Sequence, residues 1–312
     1  MQAAANDLPY RYSANDEQQQ GNYYNDNEAA WAGALARKLT AYAVLAHVAA
    51  WQQDYPSVAT YSKFVIDNYS KGGNSYITTD NLCNSNGLFF NKSYNQLLGF
   101  NFDYGQQVAS FTGHIEELTL ASPLVQKSIP DIYVPKDSIT SIFNEQLDQR
   151  FYVDTLGEPG AERYFTNYNS KFPIFSKIKV IGGGTTDGTF AIFSSAIVFT
   201  RLEDITLLRA EALAVLGETT GAIENLNAIR ERRGLELYNE AINGDLVDAI
   251  FKERQRELMG EGHRWYDLIR YNRIKQDNPA FMQLISSGGI YWPIAKSLLA
   301  QNNLLTQNSY WQ

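Results

Sequence analysis

RLEDITLLRAEALAVLGETTGAIENLNAIRERRG, residues 201–234, reads as two helices joined by a tight turn. Leu202, Ile205, Leu208, Ala212 and Leu216 recur at intervals of three and four, which predicts one apolar helical face. Gly217 tolerates the left-handed conformation that ends a helix, and Thr219 or Thr220 can cap the next one. Ala222, Leu226 and Ile229 supply the apolar stripe of the return helix, which stops at Gly234. Alanines at 210, 212, 214 and 222 let the two backbones come close.

Working outward, residues 245–273 read DLVDAIFKERQRELMGEGHRWYDLIRYNR. Glu253, Glu257 and Glu261 stand four residues apart on one helical face, where like charges repel. Cations must fold back onto such a column, and Arg254, Arg256 and Arg264 are near in sequence. Gly260 and Gly262 break the helix around Glu261. The expectation is a structural ion-pair network of Glu253, Arg256, Glu257, Glu261, Arg264 and Asp267 that ties helices together, because charged networks on helices are more often architectural than catalytic.

In order, AEALAVLG, AIENLNAIRERRG, IFKERQRELMGEGHRWYDLIRYNR and a tail with YWPI (Tyr291–Ile294) and Leu305–Tyr310 resemble the carboxy-terminal signature of the SusD/RagB family. His263 is a departure, extending the spacing to EGHRW. The signature spans about a third of the chain, and its pieces support one another. The resemblance implies a mainly α fold, with tetratricopeptide-like helical hairpins, a long irregular insertion and a small β-hairpin. It also implies a non-catalytic cell-surface protein that binds oligosaccharides and delivers them to a SusC-like TonB-dependent transporter. Its place would be the extracellular face of the outer membrane, held by a lipid anchor that this chain does not carry. Family members are longer at the amino end, so the expectation is a carboxy-terminal portion forming a single SusD-like domain over 1–312.

Composition agrees with a binding protein. The chain has 312 residues, ample for a core, and its net charge of −8 argues against nucleic acid and anionic membrane surfaces, which ask for a basic stripe. Aromatic residues are abundant, with 20 Tyr, 16 Phe and 5 Trp, and tyrosine suits both helix packing and sugar contact. Cys83 is the only cysteine, so no internal disulfide or thiolate metal cage is possible. No apolar run approaches the length that spans a bilayer, and no signal peptide is visible after Met1.

Residues 1–27 show no periodicity. From Asn27 an alanine-rich stretch predicts a long buried helix, broken at Asp54–Ser57, with a second helix after Pro56. These two make a helical hairpin over 28–70, a copy of the later one in 201–275. Between them, 71–200 reads as a loop-rich ligand-binding insertion, and 276–312 as a tail packing back on the helices. ASPLVQKSIP (121–130) and the stretch after Pro135 each suggest a short helix. Asp148 and Arg150 resemble a local salt bridge of the family. Residues 173–200 read as strand-like arms around Gly182–Gly184, a flexible turn lacking the lysine of a phosphate loop.

Candidate chemistry is sparse. His47 sits in the alanine-rich helix, and His114 stands beside Glu116 and Glu117, the one arrangement resembling a general base. No di-iron spacing or nucleophile elbow is present, so neither a metal nor a cofactor is expected. Binding fits better: Phe89, Phe90, Tyr94, Phe100, Phe102 and Tyr104 are interleaved with Asn91, Asn95, Asn101 and Asp103, the mixture that meets sugar C–H faces and hydroxyls. The same rings could equally be a small core of the insertion. Capture of oligopeptides, as RagB-like members perform, and a tetratricopeptide scaffold for protein partners are the alternatives.

Overall fold

Two helical hairpins recur along the chain, each rich in small side chains that let backbones approach. In the computed structural model, which describes residues 2–13, 16, 33–90, 93–102, 113–184 and 191–312, the chain forms two units, Met1–Gly262 and His263–Gln312. In the first unit a short α1 (Gln2–Asp7) precedes α2 (Lys38–Trp51) and α3 (Tyr55–Asn68). Leu39, Ala43, Ala46 and Ala50 are buried along α2. Of the helix expected from Asn27, residues 27–32 lie outside the described residues, and α2 begins at Lys38. Gly33 takes a positive φ of 77°, and the extended Arg37 bonds Gly72 O at 2.7 Å, so the chain arrives by a turn. The Asp54 carboxylate accepts the Ser57 N–H at 3.2 Å, which makes Asp54 the cap of α3.

The insertion contributes α4 (Thr79–Cys83), β1 (Leu98–Phe100), α5 (Ile115–Thr119), α6 (Lys136–Ile142), β2 (Phe151–Val153), β3 (Pro159–Glu162), β4 (Phe165–Thr166), β5 (Ile174–Phe175), β6 (Ile181–Gly184), β7 (Ala191–Phe193) and β8 (Ile197–Thr200). The strands pair antiparallel as β1–β8, β2–β3, β4–β5 and β6–β7. Residues 173–200 are therefore more than one hairpin: β5 pairs back to β4, and β8 crosses to β1. Residues 121–130 form turns rather than the expected helix. Pro123 and Pro130 lack an N–H, and Ser122 N–H closes a turn on Lys127 O at 2.7 Å. The insertion has its own core around Phe143, Phe151, Tyr164, Phe165 and Phe175, whose rings meet mostly edge to face.

The second hairpin is α7 (Leu202–Val215) and α8 (Thr219–Arg232), followed by α9 (Glu240–Asn243) and α10 (Leu246–Glu257). Gly217 and Gly234 end their helices at φ 81° and 75°. Glu218, not a threonine, occupies the α8 cap, and it makes no side-chain bond there. Leu207, Ala210, Leu213, Ala222, Leu226, Ile229 and Ile250 pack together. α7 also packs on α3 and α10, so it is buried on nearly every side instead of along one stripe, while Leu216 beyond its end is exposed. The hairpins stack through α3 and α7.

The second unit holds α11 (Arg264–Lys275), α12 (Pro279–Ser286, capped by Asn278) and α13 (Lys296–Gln301). The Trp265 ring of α11 lies 6.0 Å from Phe281 and 6.4 Å from Trp292 of the YWPI motif. Gln307 clasps Ile294 by both its N–H and C=O, at 2.8 and 2.9 Å, which explains how the two tail motifs work together.

Candidate functional site

The glutamate column is the anchor of the first unit, and its cations come from far away in sequence. Glu257 is wholly buried and is bonded by Arg233 at 2.7 and 2.8 Å, Arg201 at 2.9 Å and Arg150 at 3.0 Å. Burial alone would raise this carboxyl, but Arg233 and Arg201 outweigh it and hold it well below the usual range. Glu261 receives Arg201 at 2.9 and 3.0 Å and Lys177 at 2.5 Å. Glu253 pairs with Arg150 at 2.7 Å and Arg256 at 3.1 Å. Asp148 closes on Arg150 at 2.8 Å, as its sequence position suggests, and Glu145 bridges Arg230 and Arg256. Six cations (Arg150, Lys177, Arg201, Arg230, Arg233, Arg256) thus meet six carboxylates (Glu145, Asp148, Glu203, Glu253, Glu257, Glu261).

Of the neighbours named from helical spacing, Arg256 joins this network. Arg254 reaches Asp204 at 3.0 Å. Arg264 and Asp267 belong to the second unit, where Asp267 bonds Arg270 at 2.7 Å. Helical periodicity cannot reveal Arg150, Lys177, Arg201, Arg230 or Arg233, because tertiary folding alone brings them in.

Beside the network lies a cavity of about 530 Å³, lined by Phe89, Phe102, His114, Ser195, Ile197 and the Gly260–Glu261–Gly262 turn, with Ile115, Ile178 and Val198 adding apolar wall. Glu261 therefore has two positions at once, in the ion network and at the cavity. The Ser195 hydroxyl donates to Glu116 Oε2 at 2.7 Å and lies 3.5 Å from His114 Nδ1. Val180 N–H also donates to Glu116, at 3.2 Å. Burial pushes the Glu116 carboxyl up and the His114 imidazole down, so the imidazole is neutral at pH 7. Both groups meet the same hydroxyl, whereas a hydrolytic relay places the imidazole between hydroxyl and carboxylate. This arrangement offers polar contacts to a ligand.

The aromatic residues of the candidate segment separate into distinct places. Phe89 is 1% exposed, part of the insertion core and of the cavity wall. Phe102 is half-buried at the cavity, its ring edge to face with His114 at 4.8 Å. Phe100 is 57% exposed on the outer face of β1 and meets Phe199 of β8, 51% exposed, edge to face at 5.4 Å. Asn101, between Phe100 and Phe102 in sequence, has both amide atoms buried and unbonded among the described residues. Phe90 is exposed and bridges to Ser195. Tyr94 stands elsewhere, with the guanidinium groups of Arg11 and Arg37 at 5.1 and 5.7 Å from its ring. Tyr104 lies outside the described residues. Sequence reasoning missed Ser195, Ile197 and Phe199. The alternation of β8 was the available signal, since it puts Ile197 and Phe199 on one face and Val198 and Thr200 on the other.

A smaller hollow of about 170 Å³ is lined by Glu145, Arg230, Lys252 and Arg256, and Glu145 together with Glu253 pairs the two arginines. Burial pushes the Cys83 thiol up to about 11, which leaves it unreactive. Among the described residues no group of three or more His, Cys, Asp or Glu could hold a metal, and no helix is long and apolar enough to cross a membrane.

Comparison with known proteins places this geometry in context. The model of the SusD family matches residues 9–311. A SusD-like protein (P38) of Formosa agariphila is 38% identical over 191 residues, covering 58% of this chain and 35% of the relative. A SusD superfamily protein from Bacteroides thetaiotaomicron superposes over 100% of this chain and 65% of its own, at 46% identity and a TM-score of 0.84. Surface glycan-binding protein A from Bacteroides uniformis shares the fold, with a TM-score of 0.65 over 99% of this chain and 66% of its own, at 20% identity. The chain thus spans less than two thirds of the first two of these relatives.

Proposed function

The chain belongs to the SusD family, and from that premise we propose that it binds oligosaccharides without cleaving them, at the surface formed by β1, β8 and the cavity beneath. The observation that carries this reading is the cavity itself. It has aromatic and aliphatic walls, a small number of polar groups in Ser195, His114 and Glu261, and an exposed pair of rings, Phe100 and Phe199, on the neighbouring strands. Rings stack on the C–H faces of a pyranose, and a few fixed polar groups orient its hydroxyls. The bound glycan would then pass to a SusC-like TonB-dependent transporter at the extracellular face of the outer membrane, with the helical hairpins as the scaffold.

Calorimetry of the chain against a panel of oligosaccharides tests the reading. Phe100→Ala with Phe199→Ala removes exposed rings only, so the variant should fold normally and lose affinity by about tenfold or more. Unchanged affinity in the folded double variant removes this site, and release of shortened products from any panel member removes the non-catalytic reading.

A further inference from the structure

We propose that the smaller hollow of the first unit is a binding site for a compact oxyanion of the sulfate or phosphate kind. It lies among α8, α9, α10 and the residues that follow α6, and it shares no lining residue with the saccharide cavity. Its volume of about 170 Å³ is below the roughly 300–1,000 Å³ of a pocket for a whole small molecule, so it suits a single group. Asn144, Glu145, Arg230, Asn243, Lys252 and Arg256 supply its polar lining.

This lining is rich in donors that the protein leaves unused. A guanidinium has five N–H bonds to place. In Arg230, Nε donates to Glu236 O at 2.9 Å, Nη2 to Glu145 Oε2 at 2.5 Å, and Nη1 to Glu145 Oε1 at 3.1 Å while facing Glu253 at 3.7 Å. In Arg256, Nε donates to Ile142 O at 2.8 Å, Nη1 to Glu145 and Glu253 at 2.6 and 3.1 Å, and Nη2 to Asn144 Oδ1 at 3.2 Å. One Nη2 hydrogen of each arginine thus has no acceptor among the described residues, although both side chains are buried. The two asparagines are oriented alike. Asn144 Oδ1 accepts from Arg256, and Asn243 Oδ1 accepts the Asn239 N–H at 2.9 Å, so both amide nitrogens keep their hydrogens for another partner.

The charges of the lining agree with its donors. Glu145 is the one carboxylate among the lining residues, and Arg230 and Arg256 hold it between them. The ion network that contains these three is balanced, cation for carboxylate, and brings no excess to the hollow. Lys252 is the surplus. It is exposed, and no carboxylate pairs with it among the described residues. Asp248, one turn earlier on α10, is half-buried and outside the lining, and Asp245 caps that helix by accepting the Asp248 N–H at 3.1 Å. An oxyanion brings several acceptor oxygens and a charge opposite to that of Lys252, so it meets the spare N–H groups with charge-assisted bonds. A cation would find only a carboxylate already taken by two arginines.

Calorimetry of the full chain, at ionic strength held constant with sodium chloride, tests this with inorganic sulfate, inorganic phosphate, glucose 6-sulfate and glucose 6-phosphate. The expected result is saturable one-site binding of at least one probe. Lys252→Glu reverses the surplus charge at an exposed position, so the variant should fold normally and bind that probe about tenfold or more weakly, while Lys252→Arg should bind it as the parent does. Asn243→Asp keeps the acceptor for the Asn239 N–H and replaces the donor end by a negative charge, so it should weaken binding in the same direction. Esters that bind more tightly than the free ions identify a larger ligand that presents the group, and free ions that bind as tightly identify the ion itself. Two results overturn the inference: no probe saturates, or Lys252→Glu leaves the affinity unchanged, which puts the anion elsewhere. The Phe100→Ala, Phe199→Ala variant should bind the oxyanion as the parent does, so loss of either site is read separately from the other.

Discussion

Glu257 shows how much one side chain can hold. Three arginines, just after α8, just before α7 and just before β2, converge on it, and it is wholly buried. Replacing it by an uncharged isostere strands those cations in a dry interior, so Glu257→Gln should destabilise the fold by about 3–5 kcal/mol in urea unfolding. Glu145 adds a pH signature. Burial works to raise its carboxyl, but Arg230 and Arg256 hold it at about 2, below the ordinary 4.5. A depressed carboxylate contributes stability above its unfolded pKa and loses it as pH falls towards its folded one. Stability should therefore decline between about pH 4.5 and 2 through Glu145, and Glu145→Gln should flatten that part of the curve measured by denaturant titration at each pH. The carboxylate column was legible in the sequence because helical spacing is local. Its partners were not, because Arg150, Lys177, Arg201, Arg230 and Arg233 approach it only across the fold.

At the scale of elements, the turn after α10 is the sharpest case. Gly260 has a φ of 81°, and a Cβ there would sit 2.6 Å from the Phe175 ring, inside the insertion core. Gly262 has a φ of 85° with nothing within 4 Å. Gly262→Ala should thus cost only the backbone strain of about 1–2 kcal/mol. Gly260→Ala should cost clearly more, since overpacking adds to it. Equal losses in thermal unfolding would show that contact with Phe175 is not what constrains the turn. Helix existence was readable wherever the apolar period ran long, as in α7 and α8. Boundaries were readable only where a cap acted locally. The start of α2 escaped because the bonds of Arg37 to a distant carbonyl set it. Residues 121–130 escaped because two prolines turn a weak helical pattern into closed turns.

At the scale of the whole molecule, ligand and stability are linked. A glycan that binds only the folded chain should, at about a hundredfold over its Kd, raise the melting temperature by roughly 5 °C. A Phe100→Ala, Phe102→Ala, Phe199→Ala variant should unfold cooperatively and show no such rise. A rise of the same size in that variant would locate binding away from β1, β8 and the cavity. The candidate segment was visible by composition, yet composition could not sort it. Phe89 fills a core and a cavity wall, Phe100 faces outward, and Tyr94 lies against arginines.

By itself the sequence determined the helical hairpins, the acidic column and kinship with the SusD family, because periodicity, capping and motif order are properties of neighbouring residues. Only the tertiary structure decided which cations neutralise that column and which aromatic rings stand at a cavity. It also decided that Ser195 and Ile197 would join them. Those outcomes depend on contacts between residues far apart in sequence, as in Arg150 and Glu257, 107 positions apart, and a local pattern carries no record of them.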